Sequence, residues 1–154
     1  IYLFKDNLKY ENKDQKEEKY IVRHKEYSLM MYAKFKIRYN YIFEKVDLKI
    51  INLIYSIMVY ENYNNPYTLR LIRQTKYRFT GKKTKMGIMQ VTSQREITDE
   101  ESIKEVLEKL LKELKVSKTK KITDLNIKKL IKSYKNSEKY QESVYDIYKE
   151  IEKF

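Results

Sequence analysis

Among the residues able to do acid–base or covalent chemistry, Glu61 stands in the most unusual setting. After Asp47, the residues Ile50, Ile51, Ile54, Ile57, Met58 and Glu61 follow at steps of three and four, so the carboxylate shares a helix face with aliphatic side chains. A carboxylate pressed against apolar neighbours is costly to ionise. Its pKa should rise toward the range in which it can donate a proton near neutral pH. Asn62, Tyr63, Asn64, Asn65 and Pro66 come next and are residues that stop helices and form turns. This reading puts Glu61 at the C-terminal end of a mostly buried helix, where a cleft can open.

Other chemistries are poorly supplied. The chain has no cysteine, which excludes disulfides, thiolate nucleophiles and cysteine zinc sites. Its single histidine, His24, cannot form a two-histidine metal site and lies remote from any nucleophile motif. Neither a metal nor a cofactor is expected.

The run Ile57-Met58-Val59-Tyr60-Glu61-Asn62-Tyr63-Asn64-Asn65-Pro66 resembles the helix end of soluble lytic transglycosylases and goose-type lysozymes, an aliphatic run followed by Glu-Ser-x-Phe-x-Pro. Downstream, Gly87-Ile88-Met89-Gln90-Val91 resembles their Gly-Leu-Met-Gln motif, in the same order along the chain. A fainter likeness is Ser133-Tyr134-Lys135-Asn136-Ser137, with Tyr140 and Val144 beyond it, to the family's Ala-Tyr-Asn segment and the aromatic helix that follows. The resemblance spans Val46 to Ile151. It implies a mainly α, α+β lysozyme-like fold with a small β-hairpin beside the cleft, in which residues 46–154 form the catalytic domain and residues 1–45 a segment packed on it.

The same resemblance implies cleavage of peptidoglycan glycan strands. Glu61 would protonate the glycosidic oxygen and then, as base, take the proton from the muramic acid C6 hydroxyl to give a 1,6-anhydro product. That mechanism needs no second catalytic carboxylate; Glu96 and Asp99 lie just beyond Gln90 and could hold a water in a hydrolytic variant, although helix capping explains Asp99 more simply. Met89 and Gln90 would line the cleft, with Gln90 bonding an acetamido sugar and Gly87 hinging the strand. Tyr134 matches the tyrosine whose hydroxyl points toward the glutamate, and Tyr63 the aromatic at the cleft edge. Asn62 in place of serine and Lys135 in place of asparagine depart from the pattern.

The elements that must position these residues follow from periodicity and capping. Residues 1–19 read as a short docking strand or helix at Ile1-Tyr2-Leu3-Phe4, then a solvated loop from Lys9 to Lys19. From Tyr20 to Phe43 helical spacing (Tyr20, Tyr27, Met31, Phe35, Ile42) competes with strand alternation (Ala33, Phe35, Ile37, Tyr39, Tyr41), and helix is preferred. Val46 to Tyr60 is the glutamate helix. Tyr67 to Phe79, with Leu69, Leu71 and Ile72 beside Arg70, Arg73, Lys76 and Arg78, predicts a short helix with a basic outer face. Tyr77–Phe79 and Ile88–Val91, joined through Gly81-Lys82-Lys83, predict a hairpin. Thr98 and Glu101 form a capping box ahead of Ile103, Val106, Leu107, Leu110, Leu111 and Leu114. A basic linker, Val116 to Lys121, leads to a helix capped at Thr123-Asp124, and Ser137 opens the last helix.

With 154 residues, 42% hydrophobic and 36% charged, the chain is long enough for one globular domain with a real core. No apolar run approaches the roughly 20 residues of a membrane span, and no signal-peptide order is present. Residue 1 is Ile and not Met, as expected of a fragment, a processed form or part of a larger assembly. A net charge of +12 favours polyanions, although abundant Lys, Ile, Asn and Tyr are also what A- and T-rich coding produces. The expected partner is peptidoglycan or a related acetamido-sugar polymer, met in the cell envelope or outside the cell. No specific nucleic acid is expected; the competing readings are a basic module binding through Lys82, Lys83, Lys85 and Lys118–Lys121, and a catalytically inactive structural domain.

Overall fold

In a computed structural model of the chain, residues 13–116 and 121–154 are described, with side chains from residue 24 onward except Val116. Among them six helices and one two-stranded hairpin follow in order: α1 (Lys13–Tyr39), a 3-10 turn (Asn40–Phe43), α2 (Leu48–Asn64), α3 (Tyr67–Thr80), β1 (Thr84–Met86), β2 (Val91–Ser93), α4 (Asp99–Val116), α5 (Asp124–Tyr134) and α6 (Glu138–Lys153). The mainly helical fold with a small antiparallel hairpin is as expected.

The core is built around α2. Asp47 caps it by accepting the Lys49 amide at 2.8 Å. Ile50, Leu53, Ile54, Tyr55, Ile57, Met58 and Val59 are all buried, so this helix is covered nearly all round, as a central helix must be. Helices α1, α4, α5 and α6 each lend it one face. Tyr140, Val144, Tyr148 and Ile151 of α6 lie one or two turns apart and pack on it, and Ile103, Val106 and Leu110 of α4 and Ile127, Leu130 and Ile131 of α5 close the opposite sides. Tyr32, Phe35, Tyr39 and Phe43 bring α1 and its 3-10 extension into the same cluster.

That pattern settles the competing spacings in favour of helix. Strand alternation would have placed Ile37 beside Phe35 and Tyr39, whereas Ile37 is 88% exposed between them. The solvated loop expected up to Lys19 is corrected from Lys13 onward, where the backbone is already helical. Lys, Glu and Gln are good helix formers, so a polar run is not by itself a loop signal. The segment Ile1–Phe4 and linker residues 117–120 lie outside the described residues.

Three boundaries show how local chemistry stops or starts a helix. Thr98 and Glu101 exchange side-chain-to-backbone bonds of 3.1 and 2.7 Å, and Thr123 and Asn126 do the same ahead of α5. At the end of α2 the asparagines do not stop the helix as expected. Asn62, Tyr63 and Asn64 are helical, the Asn64 side chain folding back to donate from Nδ2 to the Tyr60 carbonyl at 2.9 Å, and the break comes at Asn65, where Pro66 disfavours helical geometry in the residue before it.

The hairpin forms, though not from the expected strands. Tyr77–Phe79 belong to α3, whose end is capped by Gly81 at φ 63°, and Ile88–Gln90 form the turn. The strands are Thr84–Met86 and Val91–Ser93, with Met86 opposite Val91. Both glycines take the left-handed conformation, Gly81 to cap the helix and Gly87 in the hairpin turn.

Candidate active site

Glu61 lies in the last turn of α2 and is 7% exposed. It opens on a cavity of about 330 Å³ bounded by Gln90 and Lys85 of the hairpin, Glu105 and Lys109 of α4, and Tyr134 and Lys135 at the end of α5. Burial pushes its carboxyl above the usual carboxylate range. The charges of Lys135 and Lys85, a hydrogen bond from the Asn65 amide at 3.2 Å and the charge of Arg73 pull it part of the way back. The group is thus a carboxyl harder to ionise than an exposed one, set among cations that offset part of that cost.

Glu61 is positioned by a chain of polar contacts. The Arg73 guanidinium, on α3, donates to the Asn65 side-chain oxygen at 2.7 Å and to the Gln90 side-chain oxygen at 2.5 Å. Asn65 passes its own amide to Glu61, so one arginine links α3, the end of α2 and the hairpin turn. Arg70 does similar work one turn earlier, donating to Asn62 at 2.9 Å and to the Asn65 carbonyl at 3.1 Å. Of the basic outer face expected for α3, Lys76 and Arg78 are exposed, and the expectation is corrected for the other two. Arg70 and Arg73 point inward and are half-buried, whereas Leu71 and Ile72 face outward. The reason is the supply of acceptors at the end of α2, which suit a guanidinium with its five donors and would be left unpaired against leucine.

The hairpin turn is docked by Gly87. Its φ is 71°, and a Cβ there would stand 2.4 Å from the Ser102 Cβ and 2.5 Å from its Oγ, so the close approach of turn and helix α4 requires glycine on both counts. Ser102, fully buried, donates to the Asp99 carbonyl at 2.7 Å and accepts the Met89 amide at 3.3 Å. Gln90 follows at φ 54°, a left-handed conformation that a non-glycine residue adopts at a cost of about 1 kcal/mol. Its carboxamide is held at both ends, by Arg73 on the oxygen and by donation to the Gly87 carbonyl at 2.9 Å, which leaves one N–H for a ligand.

Tyr134 lines the cavity and donates its hydroxyl to the Met89 carbonyl at 3.2 Å. Burial, then the charges of Glu61 and Glu105, push its ionisation well above the ordinary phenol value, so it acts as a neutral phenol. Beneath it lie Tyr140 and Tyr60, with ring centroids 6.1 and 4.9 Å from their neighbours in the row Tyr134, Tyr140, Tyr60.

Glu61, Gln90 and Tyr134 are therefore brought together, and Gly87 supports them from behind. Met89 is fully buried in the core and reaches the site only through its backbone, and Tyr63 lies elsewhere. It is half-exposed on the far side of the helix, with its ring 4.9 Å from His24 and 5.4 Å from Tyr27. Glu96 pairs with Arg78, and Asp99 accepts from Tyr39 at 3.3 Å, so neither lines the cavity. Glu105 is the second carboxylate that does.

Arg73, Asn65, Glu105 and Lys109 were not singled out by sequence. Asn65 carried a signal for the helix end only, since it precedes a proline. Glu105 and Lys109, four apart on the polar side of a strong amphipathic helix, look like any solvated pair. No group of three or more His, Asp or Glu side chains among the described residues is arranged to hold a metal, and no described helix is long and apolar enough to cross a membrane. Compared with protein-family models, curated proteins and solved structures, the chain matches none of them.

Proposed function

We propose that this chain cleaves the glycan strands of peptidoglycan, or of a related acetamido-sugar polymer, with Glu61 as general acid and then general base. The observation that carries the reading is the burial of Glu61 at the end of α2 in a cavity it shares with Gln90 and Tyr134. A protonated carboxyl in such a setting can deliver its proton to the oxygen of a scissile glycosidic bond. As the bond breaks, positive charge develops on the sugar, and the carboxylate just formed lies beside it. In the transglycosylase outcome the carboxylate then accepts the C6 hydroxyl proton as that oxygen attacks the anomeric carbon, which closes the 1,6-anhydro ring and returns the proton to Glu61. In the hydrolytic outcome a water takes the place of the C6 hydroxyl, and Glu105 at the cavity wall is the group able to orient it.

The free N–H of Gln90 suits the carbonyl of an acetamido group. Asn62, standing where the resembled family has serine, ties the helix end to its surroundings by donating to the Tyr27 hydroxyl at 3.0 Å and accepting from Arg70. A site of this kind belongs in the cell envelope or outside the cell.

The test is digestion of purified sacculi by the wild type and Glu61→Gln, with mass spectrometry of the released fragments. The wild type should release muropeptides, and the variant should lose at least about 100-fold while keeping its helical circular dichroism. Anhydro ends identify transglycosylation, reducing ends identify hydrolysis, and no release by the wild type overturns the reading. Stability gives a second readout. Because burial raises the folded pKa of Glu61, its contribution to stability is complete below the ordinary carboxylate pKa and is lost as pH rises through the raised value. Glu61→Gln should therefore melt higher than wild type at neutral pH, and the difference should shrink as pH falls below the carboxylate range.

A further inference from the structure

We propose that the cavity is built for an acidic glycan, with Lys85, Lys109 and Lys135 forming a rim that seats an anionic substituent carried by the sugar chain. The inference rests on the glycan reading of the Glu61 site and specifies which glycan that site takes.

Three lysines line the same cavity of about 330 Å³ from three separate elements, β1, α4 and the segment between α5 and α6. The volume is at the small end for ligand sites, so a ligand lying against Glu61 also lies against this rim. Elsewhere several cations are committed to carboxylates: Lys49 and Lys149 share Asp124 and Glu152, Lys25 and Lys153 share Glu150, Arg78 takes Glu96 and Arg95 takes Glu101. Lys85, Lys109 and Lys135 are in no ion pair within 4 Å among the described residues; the charges of Lys135 and Lys85 act on the Glu61 carboxyl, and Lys135 also lies over the Tyr140 ring, 4.8 Å from its centroid. Lys135 also stands where the resembled family has asparagine.

Among the described residues the cavity is lined by three lysines against two carboxyls, Glu61 and Glu105, so positive charge predominates there. A neutral sugar polymer offers these lysines only hydroxyl and carbonyl acceptors, with no charge to match theirs. A carboxylate on a peptide stem, or a phosphodiester on an attached wall polymer, supplies the complementary charge, and charge-assisted contacts of this kind are about twice as strong as neutral ones.

The experiment measures binding and not cleavage, so it remains readable whatever the outcome of the sacculus digestion. Glu61→Gln protein is pelleted with four materials: native sacculi, sacculi with carboxyls amidated, sacculi stripped of phosphate polymers by hydrofluoric acid, and chitin as a neutral acetamido-sugar polymer. The same is done in two further backgrounds, Lys85→Gln/Lys109→Gln/Lys135→Gln at the rim and Lys82→Gln/Lys83→Gln/Lys112→Gln away from it, which change net charge equally. The rim variant should bind native sacculi at least about tenfold more weakly than the parent, with the control variant within about threefold of it. Loss of the parent's binding on amidation identifies the anion as carboxylate, and loss on acid treatment identifies it as phosphate. Equal losses in the rim and control variants would reduce the effect to the overall +12 field and overturn the proposal. Parent binding to chitin as strong as to native sacculi would overturn it too.

Discussion

Helices α2 and α3 adjoin in the chain with only Asn65 and Pro66 between them, and both reach the Glu61 site, yet they are held in opposite ways. Helix α2 is buried nearly all round, mostly by aliphatic and aromatic side chains, with Ser56 in its middle satisfied inside the helix by donating to the Asn52 carbonyl at 2.6 Å. Helix α3 has no buried residue, turns Arg70 and Arg73 toward its neighbours and leaves Ile72 64% and Phe79 87% exposed. The acid thus sits on a rigid post, and the arginine that helps orient it sits on a helix fastened mainly by hydrogen bonds. Apolar burial is non-directional and resists displacement from any side, whereas a few guanidinium contacts specify geometry while adding little global stability.

Substitutions in the two helices should separate these roles. The largest effect is expected for Leu53→Ala in α2, a fully buried side chain whose loss should cost about 2–5 kcal/mol in urea unfolding. Close behind, Gly87→Ala should cost roughly 2–4 kcal/mol, because the added methyl meets Ser102 in a backbone conformation that disfavours it. Gly81→Ala at the end of α3, where the space for a Cβ is open, should cost only about 1 kcal/mol.

Arg73→Met should cost about 1–3 kcal/mol by leaving the Asn65 and Gln90 oxygens unpaired. Its signature is local: faster amide exchange across Tyr67–Thr80 than across Leu48–Asn64, and roughly tenfold lower kcat if Glu61 is displaced. Removing a charge that lowers the Glu61 pKa should also move the alkaline limb of the pH–rate profile upward, a shift that a purely structural role would not produce. Ile72→Ser should be nearly silent, within about 0.5 kcal/mol. Should Ile72→Ser cost as much as Leu53→Ala, or Arg73→Met slow exchange in α3, the contrast between the helices fails.

Much of the fold was legible because its signals are short. The capping box at Thr98 and Glu101, Thr123 ahead of α5 and Ser137 ahead of α6 each depend on a side chain reaching an amide two or three residues away. Burial of Glu61 followed from its place on the aliphatic face of α2. The hairpin was expected in the right neighbourhood with the wrong strands, since Gly81 and Gly87 both read as turns and nothing local says which one ends a helix. The inward arginines were missed for a different reason: Leu71 and Ile72 carry the usual signal for a buried face, and it was overridden by acceptors on another helix.

What the chain determined alone is therefore the set of elements and the placing of one carboxyl on an apolar face, because capping and periodicity act within a few residues. Assembly decided the rest: which face of α3 turns inward, which glycine docks on Ser102, and that Lys85, Lys109, Lys135 and Glu105 meet around Glu61. Those outcomes depend on partners supplied by distant parts of the chain, and a polar side chain is drawn inward only where such a partner waits for it.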